Sequence, residues 1–115
     1  MVPAVVASSI AARSLGYAGI ADLIMADQLG PQAIARLFAN ALAHDHGKVC
    51  AIVLLAGGTA RYNTNRQGFD GGVERDLAIK ALGGYADFAA ANREAVRLVQ
   101  RHWPEITAEA QSPAI

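Results

Sequence analysis

A chain of 115 residues is the length of one domain and long enough to bury a modest core. Hydrophobic residues make up 53% of it, but only 6% are aromatic and many are alanine, so any core must be thin, with helices packed closely across small side chains. Ten basic residues balance ten acidic ones, unlike the strongly basic chains built chiefly to hold nucleic acid, and a neutral surface opposes association only weakly.

The first helix is expected over residues 4–15, closed by Leu15-Gly16 with Gly16 as a left-handed cap. Residues 17–29, YAGIADLIMADQL, read as a second helix that stops at Gly30-Pro31. Glycine just past one helix and proline at the start of the next is the expected asymmetry. The third helix runs from Pro31 to about Asp45. Its apolar face holds Ile34, Leu37, Phe38, Ala41 and Leu42, with Gln32, Arg36 and Asn40 opposite.

The run KVCAIVLLAGG, 48–58, is apolar throughout, and periodicity does not separate a buried helix from a buried strand. A strand needs a partner, and the one candidate, residues 2–7, contains Pro3. A buried helix is therefore preferred, with a two-stranded pairing of 2–7 and 49–55 as the alternative. Residues 57–72, GGTARYNTNRQGFDGG, then read as a long glycine-rich loop. A short helix follows at 73–82, with Asp76 and Lys80 four apart, and Gly83-Gly84 breaks it. The last helix is expected over 85–103, burying Phe88, Ala91, Ala95, Leu98, Val99 and Trp103. It stops before Pro104, leaving 104–115 as a disordered tail. The expected architecture is mainly α: one domain, 1–103, of five or six short helices, with an α+β arrangement as the alternative.

Two surfaces carry the functional candidates. In the glycine-rich segment, Arg61, Tyr62, Asn63, Asn65, Arg66, Gln67 and Phe69 mix cations, amides and aromatics, types that suit protein contacts and stacked bases alike. On the last helix, Arg93, Arg97 and Arg101 repeat every four residues, a stripe able to lie along phosphates or an acidic partner.

A third cluster, His44, Asp45, His46 and Cys50, has metal-like spacing between His46 and Cys50. Gly47 interrupts the helix they would share, and His102, the remaining histidine, is distant in sequence, so no metal is expected. Cys50 precedes the most apolar run of the chain, where a thiol is expected buried and inert. The glycine segment has neither the P-loop spacing nor G-x-G-x-x-G, and no cofactor is expected.

Residues 80–91, KALGGYADFAAA, resemble the opening of small repressor-like DNA-binding domains. The turn glycine and Ser/Thr-rich recognition helix of those domains do not follow. Residues 21–38 give helix, Leu-Gly and helix, but place Arg36 where that motif needs a buried aliphatic side chain. No apolar run approaches the roughly eighteen residues of a membrane span. The N-terminal stretch has no basic n-region, and Ser8 and Ser9 interrupt its apolar run, so no signal peptide is expected. The single cysteine excludes an intrachain disulfide and points to a reducing, cytoplasmic setting.

The leading expectation is a non-catalytic regulatory or binding protein acting through protein–protein contacts, with a protein partner or a homodimer. A helix-turn-helix-type regulator binding DNA or RNA is the alternative. A small enzyme using His44, His46 and Cys50 comes third.

Overall fold

The computed structural model describes residues 2–45, 47–64 and 72–111. Seven α-helices follow in order: α1 (Pro3–Ser14), α2 (Ala18–Asp27), α3 (Pro31–Asn40), α4 (Lys48–Thr64), α5 (Gly72–Leu82), α6 (Phe88–Arg101) and α7 (Trp103–Gln111). One π-turn, Ala41–Asp45, extends α3. The described residues contain no strand, so the pairing of 2–7 with 49–55 does not form; both segments are helical. Alanine-rich sequence favours this outcome, and Pro3 opens α1 at a position where a backbone donor would have no partner anyway.

Helix α4 is the hub. Every residue from Cys50 to Gly58 is buried, which is the behaviour of a helix apolar on all sides. Helices α1, α5 and α6 pack directly on it, α2 and α7 lie on α1, and α3 leans on α2. The Cα radius of gyration, 12.8 Å, is that of a single folded body.

The closeness of α1 and α4 depends on small residues. The buried Ser8 hydroxyl donates to the Val53 carbonyl at 2.8 Å, tying α1 to the middle of α4. A Cβ added at Gly57 would sit 2.5 Å from Ser8 Oγ and 3.2 Å from the Ala4 carbonyl oxygen. Gly58 faces α5, where a Cβ would reach Glu74 Cβ at 3.5 Å.

These contacts correct the loop expected at 57–72. Residues 57–64 are the last turns of α4, and Gly72 already belongs to α5. Gly57 and Gly58 are packing residues, and burying two helix interfaces offsets the roughly 1 kcal/mol that each glycine costs a helix.

The chain beyond Trp103 also differs from expectation. Pro104 ends α6 and sits in the first turn of α7, a nine-residue helix that buries Ile106 at 1% exposure. Residues 103–111 are thus packed structure. The last long helix begins at Phe88, later than expected, and buries Ala91, Ala95, Leu98 and Val99; Phe88 and Trp103 are half-buried.

The α2–α3 turn keeps the Gly30-Pro31 break. Gln28 and Leu29 both take φ of 54°, an unusual left-handed pair. The turn is held from both sides. The Leu29 amide donates to the Ile24 carbonyl at 3.0 Å, and the Ala33 amide donates to Asp27 Oδ2 at 3.0 Å. Asp27 thereby caps the helix after its own, and a Cβ at Gly30 would collide with it at 2.8–2.9 Å.

Candidate functional site

The apolar face of α3 is two rows wide. Ala33, Leu37 and Ala41, four apart, form the inner row and are buried. Ile34, Phe38 and Leu42 form the second row. Ile34 and Phe38 are half-buried and Leu42 is 90% exposed. The sequence placed Leu42 on the buried face with the others, and the structure corrects this. The row drifts away from the core, and no neighbouring element extends far enough to cover its end. The π-turn begins at Ala41, so Leu42 stands in a wider helical turn, a geometry recurrent at functional sites.

Beside Leu42 lies an open groove of about 380 Å³. One wall is Phe38, Ala41 and Leu42; the other is the end of α5, Lys80 to Gly83. Gly47 joins the two. It takes φ of +90°, and a Cβ there would fall 1.9 Å from the Ala81 carbonyl oxygen. Only glycine permits both the backbone conformation and the approach. Lys80 is the one ionisable side chain in the lining; it is exposed and makes no ion pair among the described residues. Two residues beyond Gly83, Tyr85 is also exposed. The sequence held two signals for this site: the second apolar row on α3, and a glycine where the chain passes from α3 to α4.

The sequence-derived candidates fall on two other helices. Arg61 and Tyr62 are exposed and Asn63 is half-buried, all in the last turns of α4. Arg61 is committed within the fold, forming an ion pair with Glu74 that clasps α4 to α5. Asn65, Arg66, Gln67 and Phe69 lie outside the described residues. Arg93, Arg97 and Arg101 are all exposed along α6 and span about 12 Å of its length. Arg97 pairs with Glu94 at 3.2 Å on the same helix. Arg75 lies over the Phe88 ring at 5.8 Å, joining α5 to the start of α6.

In the His/Cys cluster, Cys50 is 1% exposed in the first turn of α4. His44 and Asp45 belong to the π-turn, their side chains lie outside the description, and His46 falls outside the described residues. Among the described residues no three potential metal ligands come together. No described helix is long and apolar enough to cross a membrane.

The chain matches no protein-family model, and no curated protein or solved structure shows significant similarity to it.

Proposed function

We propose that this is a non-catalytic binding protein that works through protein–protein contact, and that the contact is centred on the groove beside Leu42. The observation that carries the reading is the uncovered second row of α3. A leucine at 90% exposure, flanked by a preformed apolar groove and by an exposed tyrosine, is a feature of interfaces rather than of a solvated face.

Two further observations support it. Cys50 is buried, which withholds the nucleophile from an enzyme built on His44, His46 and Cys50. The α2–α3 pair has helix-turn-helix order, but the exposed positions of α3 are Gln32, Ala35, Arg36 and Ala39, with a single cation to meet phosphates. The nucleic-acid reading therefore rests on Arg93, Arg97 and Arg101 of α6.

Site-specific photocrosslinking separates the two. A photoreactive residue is placed at position 42 or at position 97, both exposed, in the cell that makes the protein. The expected result is a discrete protein adduct from position 42 and no nucleic-acid adduct from position 97. Nucleic acid crosslinked at 97, with nothing at 42, overturns the proposal in favour of a DNA- or RNA-binding regulator. Silence at both positions overturns it as well.

A further inference from the structure

We infer that the occupant of the groove is an amphipathic helix of a different protein, carrying a carboxylate that meets Lys80. The inference rests on the groove being a contact site and adds the chemistry of what fills it.

Backbone satisfaction decides the helix. An extended peptide docks by adding a strand to a sheet edge, and the described residues offer no strand to extend. The groove walls are helix ends whose terminal groups are already engaged. The Gly83 and Gly84 amides donate to the Lys80 and Ile79 carbonyls at 3.2 and 3.1 Å. An occupant that brings its own hydrogen bonds satisfied, and lays apolar side chains three or four residues apart against Phe38, Leu42 and Leu82, meets these walls without leaving a polar group buried and unpaired.

Charge decides between a second copy and another protein. Lys80 lines the groove and no carboxylate does. A two-fold contact of this face with itself would bring both Lys80 side chains to one interface, with no acid in the lining to separate them. A partner helix with Asp or Glu about one turn from its apolar anchors supplies the missing charge. The same complementarity favours such a partner over apolar competitors.

The test uses the full chain against a displayed library of random helical peptides, alongside Leu42→Ser and Lys80→Glu. Both substitutions change exposed side chains, and circular dichroism checks that each variant folds. The expected peptides carry two large apolar residues three or four apart, with Asp or Glu nearby. Leu42→Ser weakens them tenfold or more, and Lys80→Glu exchanges the acidic preference for Lys or Arg. Peptides that bind equally to Leu42→Ser overturn both this inference and the groove reading. Peptides that need Leu42 but show no acidic preference, or ignore Lys80→Glu, overturn the occupant and leave the groove standing. A dimer in sedimentation that Leu42→Ser dissociates assigns the groove to a second copy and overturns the inference. A library yielding no peptide tighter than about 1 mM also counts against it.

Discussion

Replacing Gly57 by alanine sets two opposed effects against each other. In an exposed helix the change stabilises by about 1 kcal/mol, because alanine loses less conformational entropy. Here the added methyl would stand 2.5 Å from Ser8 Oγ and 3.2 Å from the Ala4 carbonyl oxygen, inside any normal contact. Ser8 is fully buried and holds the Val53 carbonyl at 2.8 Å, so it has no free space to turn into. Overpacking of this kind costs about 1–3 kcal/mol, and displacing the Ser8 hydroxyl forfeits about 1 kcal/mol more. The expected balance is a net loss of about 1–3 kcal/mol.

Ser8→Ala alone should cost about 1 kcal/mol. It also removes the atom that the new methyl meets first. In Ser8→Ala/Gly57→Ala only the 3.2 Å approach to Ala4 remains, so the double variant should be more stable than the sum of the singles predicts. A favourable coupling of about 1 kcal/mol or more is expected, well above the scatter of independent sites. Urea unfolding followed by far-ultraviolet circular dichroism gives all four free energies. Stabilisation by Gly57→Ala of about 1 kcal/mol, or additivity of the pair, would refute the reasoning, since it would mean that α1 does not approach α4 at this glycine.

Ile106→Ala should cost about 2–5 kcal/mol, because its side chain is buried; a loss below about 0.5 kcal/mol, the range of surface changes, would show that α7 is not docked. Gly47→Ala should destabilise by about 2 kcal/mol or more, combining the cost of φ +90° with the collision at Ala81. It should also disturb peptide binding at the groove more than Gly16→Ala, where an added Cβ meets nothing within 4 Å. Cys50 should resist thiol reagents in the native protein and react only on unfolding; fast native labelling, read by mass spectrometry, would restore the catalytic reading of that cluster.

Local signals placed much of the fold. Gly16, expected as a left-handed cap, takes φ +94°, and the break at Gly30-Pro31 separates α2 from α3. The apolar run after Lys48 is a buried helix, the choice that the lack of a strand partner favoured. Helix propensity, caps and breakers act over a few residues, and a single sequence displays them directly.

What the sequence by itself determined was therefore helical class, most helix starts and the burial of Cys50. Tertiary structure decided the rest, because the same residue type serves opposite purposes in different surroundings. Gly57 and Gly58 carry the composition of a loop, yet they continue α4 because Ser8, Ala4 and Glu74 occupy the space a side chain would need. Pro104 carries the signal of a helix end, and it is one, but it also opens α7, whose docking on α1 depends on burying Ile106. Leu42 belongs by periodicity to the face that buries Leu37, and it stands in solvent because nothing in the chain reaches the second row of α3. Periodicity states which face of a helix is apolar. How much of that face is covered depends on neighbours distant in sequence, and the part left uncovered is where the contact surface is proposed.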